Sequence, residues 1–171
     1  MIDSSGEVHL MAIRLIKILL SLSVALWGIA AGAMNLVNYG SGVGLVGGVL
    51  TLEGHESIRA IHAPIAFHIG FAFIYLGKLA TGLLCAWGTY DLWTSRRASA
   101  ELFDAAKSKT VLGCGVALFM LFFGFVAVAG AVFHSTAGPP SELSSTFQQG
   151  ALLYMAGIAL ISLYVSAREP G

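Results

Sequence analysis

The sequence predicts an all-α fold, a polytopic membrane protein whose four spans form a four-helix transmembrane bundle. Hydrophobic residues make up 57% of the chain and charged residues only 11%. Four long apolar runs, at 18–52, 60–90, 110–141 and 143–167, contain Lys78 as their only charged residue. Roughly 20 apolar helical residues cross a hydrocarbon core about 30 Å thick, so each run is long enough to span it. Helices follow because they satisfy their own backbone hydrogen bonds in lipid.

The breaks between the runs define the elements in order. We expect a polar N-terminal extension at 1–10 and then a single domain at 11–169, in which Met11 opens the apolar part. The four spans of that domain are expected at about 14–38, 61–90, 109–134 and 146–168.

The first span allows one alternative interpretation. Arg14 and Lys17, the apolar stretch after them and the sequence Ala31-Gly32-Ala33 also resemble a secretory signal with its cleavage site. The apolar run continues past Ala33 without a polar start, which favours a membrane span.

A small-residue face is predicted on span one. Gly28 and Gly32 lie four residues apart, with Asn35 on the same face. Small residues let a neighbouring helix approach closely, and an amide can donate or accept a hydrogen bond across that contact. We expect these three residues to pack against another helix of the chain, and homodimerisation is the alternative.

A glycine-rich segment follows at 39–54 and is uncharged until Glu53. Gly42, Gly44 and Gly47 have the spacing G-x-G-x-x-G, but the segment follows a membrane helix instead of a strand, so a dinucleotide site is not expected. We expect an apolar loop with irregular backbone, lying at the membrane surface or covered by protein.

Spans two to four carry ordinary boundary signals. Pro64 suits the first turn of span two, and Trp87, Tyr90 and Trp93 form an aromatic belt near its other end. The loop after them contains a helical stretch at 98–106, which is expected to lead into span three. Gly138-Pro139-Pro140 turns the chain before span four.

The basic residues predict the orientation. They lie before span one, between spans two and three, and after span four: Arg14, Lys17, Arg96, Arg97, Lys107, Lys109 and Arg168. Because Lys and Arg in short loops remain on the cytoplasmic side, both termini and the middle loop are expected inside. The formal net charge of +0 gives no indication of a nucleic-acid partner.

Lys78 is a candidate functional residue, for an intramembrane charge or for docking of a partner. By helical rise it lies about 15 Å from the aromatic belt. An ionisable group at that depth is costly unless it is paired or hydrated. Its alternatives are an ammonium that extends toward the cytoplasm, a docking charge for a partner subunit, or part of an ion or substrate pathway. Candidate hydroxyl partners within the chain are Ser21, Ser23, Thr81, Tyr154 and Ser162.

Four histidines are expected on the outer side. They are His55, His62, His68 and His134, in different segments of the chain. Two imidazoles on facing helices could ligate haem b, and three or four could hold copper or zinc. Ordinary interfacial hydrogen bonding is the alternative, and the cofactor remains unassigned by the sequence.

The chain resembles a bacterial family of predicted small integral membrane proteins of unknown function. The resemblance is carried by Gly32-Ala-Met-Asn35-Leu-Val-Asn-Tyr39, Val49-Leu50, Arg59-Ala-Ile61, the Pro64 to His68 opening of span two, and Thr81-Gly-Leu-Leu-Cys-Ala-Trp-Gly88. It covers about 11–169 and implies four spans and an inner membrane, with no activity. The sequence departs from that pattern at Asn38, where an acid is expected, and at Lys78, where a glutamate is expected. A site that accepts either sign of charge favours pairing with a variable group over a fixed proton relay.

Three functional hypotheses follow. The leading one is a noncatalytic component that contacts the lipid bilayer and packs against other membrane subunits, for example of a respiratory or electron-transfer complex. The second is a haem b or metal-binding electron carrier that uses the outer histidines. The third is a small transporter or channel. An enzyme is not expected, because no nucleophile and base pair, paired carboxylates or phosphate loop is found.

Overall fold

The protein is all-helical throughout the residues that can be described. The computed structural model describes residues 4–51, 63–134 and 142–169, with side chains for 6–51, 63–128 and 149–169. Within these ranges, four helices are long and apolar enough to cross a membrane: Gly6–Val37, Pro64–Thr94, Ala100–Val128 and Gln149–Ser166. The predictions of an all-α fold and of four helices suited to span a membrane are therefore confirmed.

The described residues form six α-helices and one π-helical segment. Their bounds are α1 Ser4–Val37, α2 Tyr39–Leu50, α3 Pro64–Thr94, α4 Ala100–Ala106, α5 Ser108–Leu121, a π-helical segment Phe122–His134 that continues α5, and α6 Glu142–Ser166. α3 packs along α1 on one side and along α5 on the other, and α6 packs on α5 and α1. α1 begins at Ser4, so most of the polar extension expected at 1–10 is helical.

The glycine-rich segment is a helix, which corrects the expectation of irregular backbone. α2 begins one residue after α1, at a break on Asn38. Hydrogen bonds inside the helix satisfy its backbone without water. An irregular backbone in an apolar environment would leave some N–H and C=O groups without partners. Two of the glycines lie where α2 meets α3: a Cβ on Gly42 would collide with the Phe71 ring, and one on Gly47 would lie 3.2 Å from Phe67. At 12 residues, α2 is too short to span a membrane.

The backbones of α1 and α3 touch. A Cβ on Gly28 would lie 2.6 Å from Gly82 N and 2.7 Å from Lys78 O, and one on Gly82 would lie 2.5 Å from Ile29 N. A Cβ on Gly32, one turn further along α1, would lie 2.7 Å from the Leu79 side chain. Two facing glycines, Gly28 and Gly82, are therefore what permits this helix crossing.

Hydroxyl groups join α1, α3 and α5 further along the same interface. Ser21 and Thr110 share a hydrogen bond of 2.7 Å, and Thr89 donates to Ser21 at 2.9 Å. Ser21 also donates to the Cys85 carbonyl. Ser21 and Thr110 are fully buried, and their mutual bonding removes the cost of burying hydroxyls in an apolar interior.

A buried ionic cluster closes the end of the helices that carries most of the basic residues, called here the basic end. Arg14 on α1 forms a salt bridge of 2.7 Å with Glu169, beyond the end of α6, and also donates to the Arg96 and Ala98 carbonyls. Arg14 and Glu169 are both buried. The cluster therefore ties the first helix, the loop after α3 and the chain after α6 together.

Two lysines complete the basic end. Lys17 and Lys107 each donate to the Ala167 carbonyl, at 2.6 Å and 2.7 Å, just beyond the last residue of α6. Cations at this position stabilise the partial negative charge of a helix C-terminus. Lys107 also pairs with Asp104, so each lysine has an acceptor within the chain.

The glycine contact leads to a stability prediction. Gly28→Ala should force α1 and α3 apart and cost about 1–3 kcal/mol, the range for inserting a methyl group into a packed interface. Gly157→Ala is the matched control, since nothing lies within 4 Å of a Cβ at that position. Thermal unfolding in mild detergent measures the difference, and equal melting temperatures for the two variants would contradict the contact.

The ionic cluster leads to a second prediction. Glu169→Ala should cost about 3 kcal/mol, because it leaves the buried Arg14 guanidinium without its carboxylate. Asp91→Ala is the control: its partner Lys109 is 2.5 Å away, but both side chains are partly exposed, and such pairs contribute at most about 1 kcal/mol. Equal losses of thermal stability in the two variants would show that the Arg14–Glu169 pair contributes no more than a partly exposed ion pair.

Candidate functional site

The α1–α3 crossing places Lys78 beside Asn35. With its amide oxygen turned toward α3, Asn35 accepts a hydrogen bond of 3.1 Å from Lys78 Nζ, and its nitrogen donates to the Ala31 carbonyl at 3.3 Å. Both residues belong to helices that are long enough to span a membrane. A charged amine and a neutral amide therefore meet between two membrane-length helices.

The Lys78 side chain extends toward the N-terminus of α3. Gly28 meets α3 near Gly82, whereas Asn35, almost two turns further along α1, meets the Lys78 ammonium. Because the two helices run in opposite directions, the ammonium lies away from the basic end. This is the direction that long helical side chains normally take, toward the helix N-terminus.

A cavity of about 570 Å³ opens beside the Lys78–Asn35 pair. Its walls come from α1, α2, α3, α6 and the α5 to π-helix continuation, and most of them are apolar. Among the larger side chains that line it are Trp27, Leu45, Phe71, Leu121, Phe125 and Tyr154. The volume lies within the range of about 300–1,000 Å³ that small-molecule sites occupy.

The cavity reaches the outside of the helices between α1 and α6. Met34 on α1 and Tyr154 on α6 both line it, and they are 57% and 53% exposed. The Trp27 and Tyr154 rings pack at 5.5 Å between centroids, next to this opening. In a membrane, the opening would face lipid acyl chains.

Charge is unbalanced in the cavity. None of the described residues that line it is acidic. Of the hydroxyl partners expected for Lys78, Ser21 bonds with Thr110, Ser23 with Leu20 and Thr81 with Gly77, while Tyr154 lines the same cavity. Among the described residues, the chain therefore offers Lys78 no anionic partner in this cavity.

Asn35 as the acceptor for Lys78 is the part of the site that sequence reasoning missed. Both residues were candidates, but for different roles: Asn35 for helix packing and Lys78 for charge. A signal was present, because Asn35 is the one amide within the first apolar run before the break at Asn38. Its register relative to Lys78 depends on the crossing, which no local pattern encodes.

The histidines are only partly within the described residues. His68 Nδ1 lies 2.8 Å from the Tyr39 hydroxyl, and the two rings stack at 5.7 Å. His55 and His62 lie outside the described residues, and His134 is described by its backbone alone. Among the described side chains, no three His, Cys, Asp or Glu residues are grouped as a metal site. The haem and metal hypotheses therefore stay predictions.

The fold and the cavity define a multi-pass, all-helical integral membrane protein, with one lysine among the described residues that line its cavity. Residues 13–165 match the family described as predicted small integral membrane protein (DUF2165). The chain belongs to this family, and the resemblance noted in the sequence is confirmed. No curated protein and no solved structure matches the chain.

The Lys78–Asn35 bond leads to a third prediction. Asn35→Leu should lower stability by about 1–3 kcal/mol, the cost of leaving the half-buried Lys78 ammonium without its acceptor between two membrane-length helices. Asn38→Leu is the control, because the exposed Asn38 side chain donates only within its own turn, to the Met34 carbonyl. Thermal unfolding in mild detergent compares them, and a larger loss at position 38 would argue against the bond.

Proposed function

We propose that this protein is a noncatalytic component of the bacterial inner (cytoplasmic) membrane, and that it holds an anionic group of another molecule at Lys78. The observation that carries the proposal is the cavity itself: it contains one ammonium, one amide that accepts from it, and no acidic lining residue among those described. An ammonium at membrane depth is stabilised by a counter-ion, and this chain supplies none at the described cavity wall.

The proposed architecture is a single four-helix transmembrane bundle at 11–169, with both termini in the cytoplasm. Support for the orientation comes from the basic end, where Arg14, Lys17 and Lys107 lie together with the Arg96 backbone. Lys and Arg residues near the ends of membrane helices favour the cytoplasmic side. On this orientation, the Lys78 ammonium extends toward the outer half of the membrane.

The anionic group has two possible sources, a protein subunit and a small molecule, and one purified sample distinguishes them. The prediction from sequence was a subunit of a larger complex, which would insert an acidic side chain at Lys78. A cavity of about 570 Å³ also admits a whole small molecule. In both cases the protein binds and positions the group without reacting with it.

The test is retention through purification. Wild type, Lys78→Met and Lys109→Met are purified in mild detergent, and native mass spectrometry identifies the molecules that remain bound. We expect the Lys78→Met variant to retain about tenfold less of an anionic companion, the loss that corresponds to one charged hydrogen bond.

Lys109→Met is the matched control, since Lys109 pairs with Asp91 and lies 4.1 Å over the Trp87 ring, away from the cavity. It should retain the companion as wild type does. Equal retention by Lys78→Met and wild type would overturn the proposal. An absorption spectrum of the same wild-type sample tests the haem hypothesis, which requires a Soret band.

A further inference from the structure

We propose that the cavity binds a single-chain amphipathic carboxylate, with its head on Lys78 and Asn35 and its apolar chain against the aromatic wall. This inference rests on the proposed function and names the chemical class of the anionic group. It depends on four features of the cavity: its charge, its lining, its volume and the place where it opens.

Charge selects the head group. Lys78 Nζ donates to Asn35 and, as an ammonium with three donor hydrogens, has donors left for a second acceptor. One ammonium balances one negative charge. A carboxylate provides that charge together with two acceptor oxygens, and it forms the short, charge-assisted hydrogen bonds that lysine favours.

The lining selects the body of the ligand. Away from the Lys78–Asn35 pair, most of the wall is apolar, with the rings of Trp27, Phe71 and Phe125 and aliphatic side chains between them. Its other polar side chains are Asn38, Ser41 and Tyr154. A polar body would lose its hydration against such a wall without gaining hydrogen bonds. An acyl or similarly apolar chain makes dispersion contacts with this wall instead, and it leaves no polar group unpaired.

The volume argues against the smaller occupants. An acidic side chain inserted by a partner, or a simple inorganic anion, fills only a fraction of about 570 Å³. Water would fill the remainder poorly, since each buried water needs two to four polar partners and the wall offers few. One acyl chain fits this space better than the two chains of a phospholipid, whose volume is much larger.

The opening selects the route of entry. Met34 and Tyr154 border the cavity where α1 and α6 meet, and both are more than half exposed. A ligand that enters there comes from the hydrocarbon region and must already dissolve in the membrane. A long-chain carboxylate dissolves in the membrane. Its head group lies close to the depth of Lys78 when its chain enters the cavity sideways.

Trp27 provides a local reporter for the test. In a Trp87→Phe/Trp93→Phe background it is the only tryptophan, and it lies in the cavity wall. Bromine atoms on an acyl chain quench tryptophan fluorescence at close range. The protein is reconstituted in vesicles of zwitterionic phospholipid and titrated with 9,10-dibromostearate.

Three probes separate the chemistry. The methyl ester of dibromostearate has the same chain without the charge, and it measures quenching due to dissolution in the membrane alone. Dibrominated phosphatidylglycerol carries an anionic head on two chains. We expect dibromostearate to quench Trp27 saturably, at concentrations about tenfold lower than either of the other two probes.

Variants of the pair test the head-group contact. Lys78→Met should reduce quenching by dibromostearate to the level of the methyl ester. Asn35→Asp places a carboxylate beside the ammonium and should compete with the ligand, with a similar loss. Lys109→Met in the same background is the control, and dibromostearate should quench its Trp27 fluorescence as it does in the parent. Circular dichroism shows whether each variant is helical, and Asn35→Asp keeps the test decisive if Lys78→Met does not fold.

The outcomes distinguish this inference from the proposed function. Equal quenching by the acid and its ester, or quenching unchanged by both Lys78→Met and Asn35→Asp, overturns the carboxylate ligand. Saturable quenching by dibrominated phosphatidylglycerol instead overturns the single-chain class. If a protein subunit is retained in a Lys78-dependent manner while dibromostearate shows no such dependence, the proposed function stands and this inference falls.

Discussion

The close approach of α1 and α3 is the contact on which the rest of the structure depends. Gly28 and Gly82 face each other so closely that a Cβ on either would collide with the opposite backbone. Helix association in lipid depends on packing and hydrogen bonds, because lipid chains are as apolar as the helices. This single contact sets the register of α1 against α3. In one direction it aligns Ser21 with Thr89, and in the other it brings Asn35 to Lys78.

The surroundings of the charges between the helices differ in two places. At the basic end, Arg14 has Glu169, and Lys17 and Lys107 share the Ala167 carbonyl, so each of these cations has an acceptor within the chain. In the cavity, Lys78 has a neutral amide and no described acid. A charge held between helices without a counter-ion is costly. The apolar cavity beside the amine adds a second cost, because the side chains that line it lose packing contacts. The contrast separates an end whose buried cations have acceptors within the chain from a cavity whose ammonium has no acid among the described residues that line it.

Much of the fold could be predicted from the sequence, and less of the site. The number of spans follows from hydropathy, and Pro64 does open α3. The helical nature of α2 was missed, because glycine has a low helix propensity in water, while backbone satisfaction dominates in an apolar environment. Of the site, Lys78 was singled out for its charge and Asn35 for its packing face. Their pairing, and the pairing of Arg14 with Glu169 across 155 positions, depend on long-range register that no local pattern contains.

By itself, the sequence determined the solvent and the class of this protein. Long apolar runs with one internal charge require helices in a membrane, since only helices satisfy such a backbone there. The same residues identified the family to which the chain belongs. The tertiary structure alone decided what surrounds that charge: an amide acceptor on one side, and on the other an apolar cavity that opens between α1 and α6. The physical reason is that hydropathy is a property of each residue, whereas a cavity and its charge balance arise from how five segments cross.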